Sequence, residues 1–254
     1  MDPFSFNKLR RYKLFQGRIK TSLLVVFVLY STLGYAQKLE GTIRFLNTVN
    51  YTRLWSGEEK SSVENEKDNT DSFISLLYFN ATQTRYVGWD DNDPEESYRR
   101  TETTITRDFS KHTLHDIIDV LDKTYIIEDS LRAPRWIIKN DMKEIAGHTC
   151  MNAFYNDTLK HQKVMAWYAL DIPLGGGPER YFGLPGLILE VNINNGAEVI
   201  TADKIELKKL TTELDFPKKA KGKKIKEKDY IGILRKQIVE NRKQEQPVFS
   251  GLRY

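Results

Sequence analysis

The sequence predicts a mostly β protein, an antiparallel curved meander or half-barrel, with one short helix and one C-terminal helix. Period-two alternation is the first sign: Leu39, Gly41, Ile43 and Phe45 fall on one face of a strand and Glu40, Thr42 and Arg44 on the other. Turn signals such as Asn194-Asn195-Gly196 part successive apolar runs, and helical spacing occurs only over 114–121 and near the C-terminus.

The first twenty residues carry Lys8, Arg10, Arg11, Lys13, Arg18 and Lys20, followed by the apolar run Leu23 to Tyr30 and the small, turn-prone stretch Ser31 to Ala36. That order matches a cleavable secretory leader over residues 1–36, with cleavage expected between Ala36 and Gln37. The apolar run falls short of the roughly 20 residues a spanning helix needs, so no transmembrane span is expected after leader removal. Without the leader, 33 basic side chains face 34 acidic ones, and the basic pI of about 8.9 belongs to the leader. Nucleic acid is therefore not an expected partner.

Residues 37–217 are expected to form one β domain, and residues 218–254 a lysine-rich linker followed by a helix and tail. Cys150 is the only cysteine, so no intramolecular disulfide can form. After the first strand, residues 56–70 suit a surface loop or frayed helix. FISLLYF (73–79) and TRYVGW (84–89) suit a hairpin, and the threonine-rich 101–107 another strand. Leu114, Ile117, Ile118 and Leu121 stand at helical spacing, which predicts the short helix over 114–121. A helix leading into a strand at Tyr125 to Glu128 is the alternative.

Further strands are expected from Arg135 to Ile138, interrupted at Asp141 to Glu144 and resumed from Ile145 to Tyr155. In Lys163 to Ile172, Val164, Ala166, Tyr168, Leu170 and Ile172 share a face. In the next strand Leu187, Leu189, Val191 and Ile193 do so, and Ala197 to Leu207 returns after the turn. The run Lys218 to Lys228 reads as a solvated linker, with contact to an anionic lipid headgroup or glycan as the alternative. A helix over Asp229 to Asn241 turns Ile231, Leu234, Ile238 and Val239 to one side.

The segment from Asp171 to Val191, DIPLGGGPERYFGLPGLILEV, is the most distinctive. Pro173 and Pro178 end the preceding strand, and Gly177 belongs to a triple glycine that permits a sharp change of direction. Leu184-Pro185-Gly186-Leu187 has Pro and Gly where a type II turn wants them, which predicts φ > 0 at Gly186. Gly183 to Ile188 spells GLPGLI. Trp136, Lys143, Ile145, Gly147, Cys150, Ala153 and Ala166-Trp167-Tyr168 precede it in a pattern that resembles the GLPGLI family of the Bacteroidetes. His148 and Asn152 depart from that pattern, where an aromatic and a lysine are more usual. The resemblance implies an exported envelope protein of a Gram-negative bacterium and carries no enzymatic activity with it. Gly, Pro, Leu and Ile have no acid-base or nucleophilic chemistry, so the motif reads as turn and core, with ligand binding by the loop as the sharper alternative.

Two constellations carry chemistry. On a helix, His112 and His115 with Asp116 and Asp119 would share one side as a weak metal set; a polar helix face is the plainer reading. His148 and Cys150 would share a strand face, but neighbours at i and i+2 point in parallel, and a lone cysteine behaves as a small hydrophobe. No G-x-S-x-G, H-E-x-x-H, P-loop or dinucleotide fingerprint occurs. Exposed Tyr51, Trp55 or Trp89 could stack on sugars. The expected function is thus a non-catalytic envelope binding or accessory protein without cofactor. It would engage an envelope protein, glycan or lipid through a concave sheet face or the loops around Gly175 to Gly183. A metal- or thiol-dependent hydrolase and a carrier of a lipophilic ligand are the alternatives.

Overall fold

The computed structural model describes residues 39–56, 69–88 and 103–244. The expected leader, the acidic stretch 90–96, Trp89 and the side chain of Trp55 lie outside that description. The described residues form one open sheet of twelve strands: β1 (Gly41–Asn50), β2 (Thr70–Phe79), β3 (Gln83–Val87), β4 (Thr104–Asp108), β5 (Thr113–Val120), β6 (Lys123–Ser130), β7 (Ile137–Ile145), β8 (His148–Asp157), β9 (Gln162–Ala169), β10 (Leu187–Ile193), β11 (Glu198–Leu207) and β12 (Lys223–Ile225). Helix α1 (Tyr51–Ser56) follows β1, and α2 (Glu227–Lys243) follows β12. Their order across the sheet is β12-β6-β5-β4-β3-β2-β1-β11-β10-β9-β8-β7. Among the described residues no helix is long and apolar enough to cross a membrane.

The mostly β architecture with a C-terminal and a short helix is as the sequence predicts. Pairing is antiparallel except where β12 adds to β6 in parallel, so the sheet is mixed. The short helix stands at 51–56 and not at 114–121, where β5 runs to Val120 and Leu121 begins the turn. Leu114, Ile118 and Val120 face α2 while Ile117, on the other side, is buried as well. A strand covered on both faces loses its period-two signature, and its apolar residues then fall by chance at helical spacing.

The β5–β6 and β7–β8 hairpins each turn through two residues at positive φ, Leu121-Asp122 and Ala146-Gly147, the twist that matches flanking strands. The break expected at 141–144 is instead a register irregularity between Ile138 and Met142 inside one strand. Leu170 leaves its predicted face because β9 ends at Ala169, and it is exposed.

Curvature follows from one residue. Ile188 N, in β10, donates to Gly176 O at 2.9 Å, and a Cβ on Gly176 would stand 2.5 Å from the Thr84 methyl on β3. Four strand spacings separate β10 from β3, about 19 Å in a flat sheet. The sheet must curl for one residue to meet both, and the connection 170–186 fills the hollow.

At the β5–β6 end, α2 closes the core by burying Tyr230, Leu234 and Ile238 against Leu114, Ile118, Val120, Tyr125 and Ile127. Val239, expected on that side, points to solvent, and Tyr230 takes the buried role. Leu234→Ala should therefore lower stability by about 2 to 5 kcal/mol. Val239→Ala should stay within about 0.5 kcal/mol of the parent, both read from urea unfolding midpoints.

Candidate functional site

The connection between β9 and β10 is held by its own backbone. Gly183 N donates to Gly175 O at 2.7 Å, Leu187 N to Ile172 O at 3.0 Å, and Tyr181 N to Pro178 O at 3.2 Å. Gly177, Pro178, Leu184, Leu187 and Ile188 are buried, and Pro185 is exposed.

The positive φ of the GLPGLI run lies at Gly183, at 96°, and Gly186 is not among the positive-φ residues. The predicted type II turn is therefore wrong. Gly186 is required for a different reason: a Cβ there would stand 1.9 Å from Ala169 O. At Gly183 a Cβ would meet the Ala133 methyl at 2.3 Å. Trp136 Nε1 donates to Phe182 O at 2.9 Å, and its ring stands edge-on to Tyr155 at 4.8 Å. The motif thus clamps the segment before β7 against the connection.

This clamp carries Arg180 and Phe182 inward, to the site that sequence reasoning missed. Asp116 on β5 is fully buried. It pairs with both Nη atoms of Arg107 from β4, through Oδ1 to Nη1 and through Oδ2 to Nη2 at 3.2 Å. It also accepts from Arg180 Nε at 3.0 Å. Arg180 Nη2 goes on to Glu227 Oε1, in the first turn of α2, at 2.7 Å. Asp129 Oδ2 accepts from Glu227 N at 3.2 Å, so the helix start is fixed from β6. Its carboxyl is held below the usual range by the Ser130 N–H and that same Glu227 N–H. The guanidiniums pack against rings, Arg107 over Phe182 at 5.4 Å and Arg180 over Tyr230 at 5.6 Å.

The arginine side chains are only 3% and 4% exposed, yet Arg107 Nε and Arg180 Nη1 have no hydrogen-bond partner among the described residues. A buried donor left unmet costs about 1 to 3 kcal/mol, more when charged. Burial is also the main reason the Arg107 pKa is lowered. Both side chains line a cleft of about 750 Å³ with Arg132, Arg135, Lys228 and Arg235. Phe182, Tyr155, Pro134 and Ile231 supply apolar wall, and Asp157 and Glu227 are the carboxylates of the lining. Asp157 already accepts from the Leu159 and Lys160 N–H groups at 2.9 Å.

The sequence-predicted metal set is not assembled. His115 lies on β5, adjacent to and therefore facing away from Asp116, and His112 sits in the preceding turn at φ 54°. No cluster of three metal-ligating side chains occurs among the described residues. His115 instead stacks on Phe216, centroids 3.3 Å apart, with Nε2 3.1 Å from Glu128 Oε1. His148 Nδ1 turns to Asp171 Oδ2 at 2.7 Å, while Cys150 Sγ donates to His148 O at 3.5 Å. Burial pushes the Cys150 thiol up to about 11, the reverse of an activated nucleophile.

Gly186→Ala should destabilise the domain on the order of 1 to 3 kcal/mol, because the atom it meets is backbone and cannot turn aside. Pro185→Ala should cost less, as comparison of the two melting curves will show. His115 yields a pH test. Its pKa is lowered, first by burial and further by Lys224, against the opposing pull of Glu128 and Asp116. The unfolded chain takes up this proton near pH 6.5 and the folded chain only below that. The contribution of His115 is therefore complete above that pH and lost as pH falls through it. Urea midpoints measured between about pH 7.5 and 5 should fall less steeply for His115→Gln than for the parent.

A family model described as a protein of unknown function (Porph_ging) matches residues 154–190, from the second half of β8 into β10. No curated protein matches the chain. Among solved structures, PNGF-II in its P21 crystal form superposes with a TM-score of 0.51 over 77% of this chain at 14% identity. The C2 form of PNGF-II gives 0.50 over 80% at 15% identity. The chain spans about a third of the length of these structures, 33% in each case, and the likeness is one of fold.

Proposed function

We propose that the chain is an exported, non-catalytic binding or accessory protein of the envelope, of the GLPGLI type. Its location would be the periplasm or the outer membrane of a Gram-negative bacterium, after removal of residues 1–36. The partner or ligand is held at the arginine-lined cleft, to which the Gly-rich connection contributes Arg180 and Phe182. The observation that carries this reading is the pair of buried guanidiniums with unmet N–H groups at a cleft of ligand size. The thiol and imidazole candidates, by contrast, are engaged in local contacts.

In this reading the motif residues Gly177, Pro178, Gly183, Leu184, Pro185, Gly186, Leu187 and Ile188 shape the loop and do not touch the ligand. Two measurements test it. The mature protein, recovered from a periplasmic or outer-membrane fraction, should begin at Gln37; a cytoplasmic chain retaining its leader would overturn the export half. Saturable capture of an envelope component by the parent should be lost in Arg135→Glu and Arg235→Glu at unchanged melting temperature. Capture untouched by both substitutions would remove the cleft from the function.

A further inference from the structure

We propose that the cleft takes a phosphomonoester, whose doubly charged phosphoryl group seats on Arg107 and Arg180 while the uncharged remainder lies along Phe182 and Ile231. This rests on the reading of the cleft as the binding site and adds the chemical class of the ligand.

Charge is the first argument. The two floor arginines and the four cations around them face three carboxylates, Asp116, Glu227 and Asp157. Asp116 is consumed by the floor arginines, Glu227 is paired with Arg180, and Asp157 accepts from two backbone N–H groups. A single carboxylate ligand would leave most of the positive surplus unmet, whereas a phosphoryl dianion meets most of it.

Geometry is the second. The unmet donors, Arg107 Nε and Arg180 Nη1, belong to two guanidiniums brought in by different elements, β4 and the connection. A planar carboxylate is best matched by the paired donors of one guanidinium; a tetrahedral anion with three terminal oxygens accepts from several directions at once. Size is the third. About 750 Å³ is room for a whole small molecule and far exceeds an isolated anion, and part of the wall is apolar. The anion is therefore the head of a larger ligand, either a soluble phosphate ester or a lipid with a phosphomonoester headgroup.

The test keeps the floor arginines intact, since removing either takes a partner from the buried Asp116. Gly232 lies on the cleft-facing side of α2, and a Cβ there meets nothing within 4 Å. Gly232→Trp should thus fill the cleft without lowering the melting temperature, because glycine is a poor helix residue.

Calorimetric titration of the mature chain uses phenyl phosphate, inorganic phosphate and benzoate, and co-sedimentation uses phosphatidylcholine vesicles with and without phosphatidic acid. Phenyl phosphate should bind about tenfold or more tighter than benzoate and tighter than inorganic phosphate, and should weaken as pH falls below about 6, where the dianion takes up a proton. Arg135→Gln and Arg235→Gln should each weaken it about three- to tenfold, and Gly232→Trp should abolish it.

Binding seen only to phosphatidic acid vesicles, and lost in Gly232→Trp, supports the same chemistry with a lipid source. Vesicle binding that survives Gly232→Trp as the sole signal is attraction to the lysine-rich tail and overturns the proposal. Equal affinity for benzoate and phenyl phosphate also overturns it. If no phosphate probe binds while the rim substitutions still abolish envelope capture, the ligand class falls and the cleft remains the site. Loss of both signals removes both.

Discussion

Asp116 has no exposed surface, and everything around the cleft is arranged to keep its charge paired. Taking a carboxylate and two guanidiniums out of water costs several kcal/mol per ion, which only close pairing and further hydrogen bonds can offset. The Thr106 N–H adds one such bond at 3.2 Å, and the rings of Phe182 and Tyr230 cover the guanidinium faces. The consequence is mechanical. β4, β5, the connection and the first turn of α2 are tied at one point, so the helix cannot shift along the sheet without breaking a buried pair. The offset is also incomplete, since one nitrogen of each guanidinium remains without a partner.

How the connection comes to deliver Arg180 there is a matter of curvature. The hollow of the curled sheet admits a chain only where side chains are missing. At Gly177, for example, a Cβ would stand 2.7 Å from the Ile188 Cβ. On the outer side, Trp136 holds the Phe182 carbonyl, and Ala133 leaves no space for a side chain at Gly183. Between these contacts the loop has little freedom, and the Arg180 guanidinium is preorganised on Asp116. Preorganisation matters for binding, because rotamer freedom lost beforehand is not lost again on association.

Strands were legible wherever one face was wet. β1, β9, β11 and the Asn194-Asn195-Gly196 turn follow from alternation and turn chemistry read directly, whereas β2 shows as an apolar run bounded by polar residues. β5 was misread because both of its faces are covered, and the break placed at 141–144 because polarity on a doubly exposed edge strand looks like a loop. The motif was recognised as turn and core, yet the φ argument attached to Gly186 belongs to Gly183, since sequence cannot distinguish a glycine needed for its dihedral from one needed for a neighbour's approach. The site was the least legible part. Arg107 sits in a threonine-rich strand that reads as half-wet, and Asp116 looked like a partner for His115. Arg180 was the one available signal, a charged residue in the middle of a glycine- and proline-rich apolar loop.

The cleft also divides along the sequence in a way that bears on how far a family match can speak for its ligand. Tyr155, Asp157, Arg180 and Phe182 fall within the matched span 154–190, whereas Arg107, Arg135, Glu227 and Arg235 lie outside it. The inner segment supplies one side of the clamp, Tyr155 and Phe182 of the apolar wall, and one floor arginine. The charge surplus comes chiefly from the outer residues on β4, the segment before β7 and α2. The matched span by itself carries a single guanidinium, without Asp116 to orient it, the β3 contact that fixes the curl, or a helix to close over it. The charge surplus at the cleft is therefore a property of how β4, the segment before β7 and α2 are joined to the motif, and the motif contributes the loop that carries Arg180 and Phe182 into it.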